Sequence, residues 1–150
     1  MNLIEALIAS GNIHRFDATA QEIDRVMSLA ERDIVEAGRK EGSSLDWAFS
    51  IGYNAALQGC RAFMFCQGFR PAGGEAHKAV FQFMRLTVPD SVLPIIDYLD
   101  RARKKRHRVI YDEPGLITER EIEFLLDKVR SLLDFIQQTI MDRRGGMGRP

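Results

Sequence analysis

Cysteine is scarce in this sequence, which argues against a fold held together by disulfides or by cysteine-bound metals. Cys60 and Cys66 are the only two cysteines among 150 residues. On one helix they would lie about 240° apart around the axis, too far to form a disulfide within it. No CxxC or HxxxH spacing is present, so the sequence has no metal-ligand signature. We expect reduced thiols packed as small hydrophobic side chains, and neither a metal nor a cofactor.

Long hydrophobic runs are also missing. No stretch approaches the roughly 20 apolar residues that a membrane-spanning helix requires. The N-terminal segment lacks positive charge and includes Glu5, which is not the pattern of a secretory signal. We therefore expect a cytoplasmic protein that has no membrane partner.

The motifs of the common nucleotide-dependent and hydrolytic enzymes are absent as well. The sequence contains no Walker loop, dinucleotide-binding fingerprint or nucleophile elbow. The nearest glycine pair, Gly73-Gly74, is not preceded by the strand that a phosphate-binding loop needs. A substrate-specific enzyme of these classes is therefore not indicated.

Helical periodicity, by contrast, extends over nearly the whole chain. Apolar residues recur at three- and four-residue spacing. Several helix starts carry capping residues: Asp17, Ser43 or Ser44, and Thr118 in a Thr-x-x-Glu capping box. We predict helices over residues 2–10, 18–40, 45–67, 75–86 and 118–141, and one from residue 90 or 91 into the region 101–108.

This pattern predicts an all-α fold, because no segment shows the sustained period-two alternation of a strand. The expected architecture is an antiparallel up-and-down bundle of four to five core helices with a short N-terminal helix. We expect residues 1–142 to form a single domain. Residues 143–150 have nothing to bury and are predicted to be a disordered basic tail.

The helix predicted over residues 45–67 is apolar on most sides, which is typical of the central element of a bundle. We expect Trp47 and the phenylalanines of this helix to lie in the core. Its small residues fall along one stripe that allows another helix to approach closely, either within the protein or across a dimer interface: Ala48, Gly52, Ala55, Ala56 and Gly59.

The basic residues are concentrated in one place. The chain has 21 Lys and Arg against 21 Asp and Glu and a net charge of zero, yet residues 101–108 contain six Lys or Arg and one His. This basic cluster ends a predicted helix just before the turn at Pro114-Gly115. Concentrated charge beside a bend on a rigid scaffold is typical of a binding site.

A helical wheel centred on Leu99 divides the basic cluster in two. At about 100° per residue, Arg103 and Arg106 continue the apolar face. The remaining members lie at its boundary or point away, and they attract phosphate without specificity: His107, Arg101, Lys104, Lys105 and Arg108. A guanidinium on an apolar face is costly unless it is paired or lines a cleft. Arg106 therefore either bridges to an acid (Asp112, Glu113 or one on the final helix) or belongs to a site.

The combined motifs resemble the HEPN superfamily of small helical-bundle proteins. Its hallmark is an Arg, usually followed by a polar residue, and a His after four to six intervening positions near the end of a core helix. The segment 106–111 looks like this motif with Tyr111 in the His position. The central helix, the loop Gly68-Phe69-Arg70-Pro71 and the following segment 74–78 add to the match, which covers roughly residues 44–140.

The resemblance implies a homodimeric helical bundle whose two motifs face a shared cleft. In active members this cleft is a metal-independent ribonuclease, in which the Arg binds the scissile phosphate and the His assists attack by the 2′-hydroxyl. Many members are toxins encoded beside a small nucleotidyltransferase that acts as the antitoxin. Others only bind nucleic acid or serve as interaction modules.

Tyr111 departs from the motif. A tyrosine has a reference pKa near 10, which makes it a poor general base at neutral pH and a more natural donor to a phosphate oxygen. An alternative register pairs Arg101 with His107, but the wheel points Arg101 outward. We predict a catalytic set of Arg106, His107 and Tyr111, and a nucleic-acid-binding set of Arg101, Arg103, Lys104, Lys105, Arg108 and His77.

Three hypotheses follow for the function. The first is an RNA- or nucleotide-binding protein, with or without endoribonuclease activity. The second is a noncatalytic dimeric module that binds a partner such as a small nucleotidyltransferase, which the replacement of the motif His by Tyr111 favours. The third is a structural protein whose basic cluster is incidental.

Overall fold

The computed structural model describes residues 2–40, 44–111 and 115–147. The described residues form an all-α helical bundle, as predicted, with six helices and one small two-stranded sheet. The elements in chain order are α1 (Leu3–Ala9), β1 (Ile13–Arg15), α2 (Ala20–Lys40), α3 (Leu45–Gln67), β2 (Phe69–Pro71), α4 (Ala76–Thr87), α5 (Leu93–Tyr111) and α6 (Glu119–Met147).

Helix α3 is the centre of the bundle and packs against α2, α4, α5 and α6. Its stripe of small residues faces α6, because a Cβ added at Gly52 would meet Leu125 at 3.0 Å and one added at Gly59 would collide with Leu133. The structure therefore assigns the stripe to packing within the chain. Cys60 is buried and Cys66 half-buried, and both are free thiols, as expected.

Local hydrogen bonds from capping side chains mark where α2, α3 and α6 begin. The Ser44 hydroxyl accepts from the backbone N–H of Trp47, and the Thr118 hydroxyl accepts from that of Glu121, which confirms both predicted caps. Helix α2 begins later than predicted. Thr19 rather than Asp17 caps it, because the Thr19 hydroxyl and the Glu22 carboxylate exchange hydrogen bonds with each other's backbone N–H groups at 3.1 Å.

Two short strands accompany the helices, although no segment of the sequence shows the alternation of a strand. Ile13–Arg15 pairs antiparallel with Phe69–Pro71. Each strand has three residues, which is too short to produce a detectable alternation. Gly68, at φ +94°, ends α3 in the left-handed conformation and directs the chain into the second strand.

Two expectations are wrong. Trp47 lies in the first turn of α3 with 57% of its surface exposed, outside the core. Helix α6 continues to Met147, beyond its predicted end at 141 and into the expected disordered tail. The Arg143 guanidinium donates to the Cys66 carbonyl and the Gln67 side chain, and Arg144 donates to Asp24 at 2.7 Å. These contacts hold the last turns against the bundle; the tail residues 148–150 lie outside the described residues.

Candidate functional site

A basic groove lies between the start of α4 and the C-terminal half of α5. Its volume is about 860 Å³. The segment at the start of α4 contributes Gly74, Glu75, Ala76, His77 and Lys78, and α5 contributes Arg103, Lys104, Arg106, His107 and Arg108. Five of these ten side chains are Lys or Arg and one is an acid. The groove therefore has the charge of an anion-binding surface.

The packing of α5 explains which residues reach the groove. Ala102 and Val109 are each 4% exposed and hold this part of the helix against the core. They are seven residues apart, so they lie on the same helix face. Arg103 and Arg106 lie between them on the flank of that face and are half-buried, whereas Lys104, His107 and Arg108 are exposed.

Arg103 belongs to an ion-pair network. Its Nε donates to Asp100 Oδ1 at 3.1 Å. Asp100 also accepts from Arg85 of α4 at 3.1 Å, and Arg85 donates to Asp97 at 2.8 Å. Burial raises the pKa of Asp100, but the hydrogen bonds from Arg85 and Arg103 outweigh it and hold that pKa below its usual value of 3.8. Arg103 is thus paired with an acid within the protein.

Arg106 has different surroundings. Its guanidinium carbon lies 5.3 Å from the centre of the Tyr53 ring, in a cation–π arrangement. Its Nε is buried and has no hydrogen-bond partner. Within residues 115–147, no acid of the final helix pairs with Arg106, and the other expected partners, Asp112 and Glu113, lie outside the described residues. A half-buried donor without an acceptor is costly, and an anionic ligand would satisfy it.

Tyr53 connects Arg106 to His77. This tyrosine of α3 is 1% exposed, and its hydroxyl lies 3.5 Å from His77 Nδ1. Burial raises the pKa of Tyr53 above its usual value of 10.0, so the hydroxyl keeps its proton. His77 is exposed to solvent at the start of α4 and is partly covered by the surrounding protein. That partial burial, together with the charges of Arg106 and Arg103, lowers the pKa of His77 below 6.5 and favours the neutral imidazole at pH 7.

Arg106 also borders a second depression, of about 240 Å³, on the side of α2. Its polar wall is ordered by Asp33, which accepts from Asn54 at 2.9 Å and from Arg32 at 3.0 Å. The exposed ring of Trp47 lies at its edge. Arg106 is therefore accessible from two sides of α5.

The remaining predicted binding residues divide between two faces of α5. Lys104 and Arg108 line the basic groove, and both are exposed. Arg101 and Lys105 line an apolar pocket of about 430 Å³ between α5 and α6, beside Tyr98 and Phe124. Lys105 departs from the wheel, which pointed it away from the bundle. It is half-buried and forms an ion pair with Glu121 of α6.

The predicted catalytic set is only partly described. Arg106 and His107 both line the basic groove, and His107 is exposed. Tyr111 is the last residue of α5, but its side chain lies outside the described part of the structure. The structure adds Tyr53 to this group, a residue that the sequence did not mark. Tyr53 and His77 are 24 positions apart on different helices, so spacing gives no sign of their contact.

Within the described residues, no three His, Cys, Asp or Glu side chains form a group that could hold a metal ion. Over the same residues, no helix has both the length and the apolar character needed to cross a membrane.

No family model and no curated protein matches the sequence. Solved structures do match the fold. The structure of ST0689, described as an archaeal HEPN homologue, superposes with a TM-score of 0.62 and 20% sequence identity, covering 79% of this chain and 97% of that one. The structure of TT1696 from Thermus thermophilus gives a TM-score of 0.63 and 17% identity, covering 78% of this chain and 97% of that one. At these identities the likeness shows the fold. The chain has a HEPN-like fold, which confirms the fold expected from the resemblance of its sequence motifs to HEPN proteins.

Proposed function

We propose that the protein binds RNA, and that the basic groove holds the phosphodiester backbone with Arg106 as its principal contact. The main support for this proposal is the burial of Arg106 and the lack of an acceptor for its Nε. Arg106 is half-buried, its Nε has no acceptor, and it lines the groove together with Lys104, Arg108 and His77. A phosphate oxygen supplies the missing acceptor and balances the charge.

The geometry is suited to the backbone of a nucleic acid more than to a base. Guanidinium groups present a planar fork of donors that matches two oxygens of one phosphate. The exposed cations along the groove add attraction that does not depend on sequence. RNA is favoured over DNA as the ligand by the resemblance to HEPN proteins together with the HEPN-like fold.

The test measures the affinity of the protein for a fluorescent single-stranded RNA that carries 2′-O-methyl groups, which prevent its cleavage. We expect Arg106→Ala to weaken binding roughly tenfold or more, because a hydrogen-bonded charge pair is lost. Arg25→Ala, at an exposed position of α2, is the matched control. Equal affinities of the wild type and Arg106→Ala would contradict the proposal. A DNA strand of the same sequence tests the preference for RNA.

The pocket between α5 and α6 supports a second function, that of an interaction module. Phe124 is 48% exposed and meets Tyr98 edge to face, with ring centres 4.9 Å apart. An exposed aromatic side chain beside an apolar pocket is typical of a protein interface. We propose that a second copy of this chain covers it and forms the homodimer in the cytoplasm.

Light scattering tests the dimer directly. Phe124→Glu should convert the dimer to a monomer, and Leu86→Glu, at a position that is 40% exposed on α4, serves as the control. A wild-type protein that is monomeric at all concentrations would contradict the proposal of a homodimer. A co-purified nucleotidyltransferase, displaced by Phe124→Glu, would instead assign this surface to the partner that the sequence suggested.

A further inference from the structure

We propose that His77 is the general base of an RNA-cleaving reaction in the basic groove, and that Tyr53 is the residue that positions it. This inference rests on the proposed function, because the RNA must first bind at Arg106. The sequence motif offers Tyr111 where a histidine is expected, and the structure brings an imidazole to Arg106 from a different helix.

The first support is the arrangement around Tyr53. The guanidinium carbon of Arg106 lies 5.3 Å from the centre of the Tyr53 ring, and the centres of the Tyr53 and His77 rings are 6.2 Å apart. Tyr53 is fixed in the core and also contacts Phe81 of α4. A buried aromatic ring therefore holds the phosphate-binding cation and the imidazole at a set separation.

The second support is the orientation of the imidazole. Nδ1 of His77 faces the Tyr53 hydroxyl at 3.5 Å, which leaves Nε2 as the nitrogen available to a ligand in the groove. In the tautomer that carries its proton on Nδ1, this nitrogen donates to the tyrosine oxygen, and Nε2 has a free lone pair. A histidine whose orientation and tautomer are set by a hydrogen bond at its other nitrogen is a common arrangement for a general base.

The third support is the protonation state. Partial burial and the charges of Arg106 and Arg103 lower the pKa of His77, so the base form predominates at neutral pH. Tyr53 of α3 contacts the ring. The other charged or titratable groups that line the groove with His77 are Arg103, Lys104, Arg106, His107 and Arg108 of α5, and Glu75 and Lys78 of its own segment. Five of these groups are Lys or Arg, and the charges of Arg106 and Arg103 in particular disfavour a protonated imidazole.

The reaction is a transesterification within the RNA. Nε2 of His77 takes the proton of a 2′-hydroxyl, and the resulting 2′-oxygen forms a bond to the adjacent phosphorus. The bond from phosphorus to the 5′-oxygen breaks, and that oxygen takes a proton from water. The products are a 2′,3′-cyclic phosphate and a 5′-hydroxyl, while His77 returns its proton to the solvent. Arg106 balances the charge that develops on the phosphate oxygens.

The experiment follows cleavage of an unmodified single-stranded RNA in buffer containing EDTA and compares it with RNA binding. His77→Ala should reduce the cleavage rate at least about 100-fold, the scale of general base catalysis. It should weaken binding of the 2′-O-methyl RNA less than Arg106→Ala does, so that the loss of cleavage is much larger than the loss of affinity. His14→Ala is the matched control, since His14 lies in β1, where its Nδ1 contacts Arg70 rather than the groove.

Tyr53→Phe keeps the ring and removes the hydroxyl. We expect kcat to fall while KM is unchanged, and the acid limb of the pH–rate profile to move to lower pH, since the imidazolium loses its acceptor. If Tyr53 only supported the fold, its replacement would leave the acid limb of the pH–rate profile unchanged.

Three results would overturn the inference. The wild type cleaves the RNA no faster than a His77→Ala preparation, or His107→Ala abolishes cleavage while His77→Ala does not, or the products lack a cyclic phosphate. A wild type that binds the 2′-O-methyl RNA through Arg106 but does not cleave RNA would contradict this inference alone. Binding that is unchanged in Arg106→Ala would contradict the proposed function.

Discussion

Arg103 and Arg106 lie one turn apart on α5, on the same flank of the helix, and have opposite surroundings. Arg103 donates to Asp100, which Arg85 also contacts. Arg106 packs over Tyr53, and its buried Nε has no acceptor. The difference shows that a cation on an inner helix face becomes part of the structure where an acid meets it, and a candidate ligand contact where none does.

Replacing Asp100 by Asn removes the acid that distinguishes the surroundings of Arg103 from those of Arg106. The variant keeps the shape of the side chain but leaves Arg103 without its carboxylate. We expect the free energy of unfolding to fall by about 1 kcal/mol, because the pairs are partly exposed and water screens them. We also expect RNA affinity to rise about two- to fivefold, since a second cation becomes available to phosphate. Urea denaturation and the RNA-binding assay measure the two effects.

Affinity that is unchanged or lower in Asp100→Asn would show that Arg103 cannot reach the ligand even when it is released. Asp97→Asn, which removes only the contact with Arg85, is the matched control.

The same network predicts how stability depends on pH. The pKa of Asp100 is lower in the folded protein than its usual value of 3.8, so the carboxylate contributes stability above that pH. The contribution is lost as pH falls below 3.8 and through the folded-state pKa. Acid denaturation followed by circular dichroism should therefore show a smaller loss of stability in this range for Asp100→Asn than for the wild type. Equal losses would contradict the assigned role of Asp100.

Two neighbouring lysines of α5 should differ slightly in how they affect the salt dependence of RNA binding. Lys104 is exposed in the basic groove, whereas Lys105 is paired with Glu121 on the face of α5 that meets α6. Lys104→Ala should reduce the slope of log affinity against log salt by about 0.7, the value for one phosphate of a single strand. Lys105→Ala should leave the slope unchanged. A larger change from Lys105 would place the RNA on the side of the aromatic pocket.

Much of the fold was predictable, because its signals are local. Ser44 and Thr118 mark helix starts by the hydrogen bonds that their hydroxyls accept, and the apolar spacing identifies the faces. The close approach of α6 to Gly52 and Gly59 follows from the stripe of small residues. The strands were not predictable, since three residues carry too little pattern. The length of α6 depends on Arg143 and Arg144 reaching other helices, which no local rule detects.

The candidate site was predictable in part. The wheel selected Arg103 and Arg106, and both line the groove. The spacing of Asp100 and Arg103, three apart on one helix, was a local sign of their ion pair, and Arg106 has no acid at the corresponding positions. The contact between Tyr53 and His77 joins two helices, so only the folded chain reveals it. Trp47 was expected in the core with the phenylalanines of its helix, but in the first turn of α3 it is 57% exposed.

The NMR signals of the arginine Nε–H groups report directly on whether Arg106 contacts phosphate. In the free protein, Arg103 Nε donates to Asp100, whereas Arg106 Nε has no acceptor. On titration with the 2′-O-methyl RNA, we predict that the Arg106 signal shifts strongly and that the Arg103 signal moves little. A shift of the Arg103 signal while that of Arg106 stays fixed, or no change in either, would contradict the assignment of Arg106 as the phosphate contact.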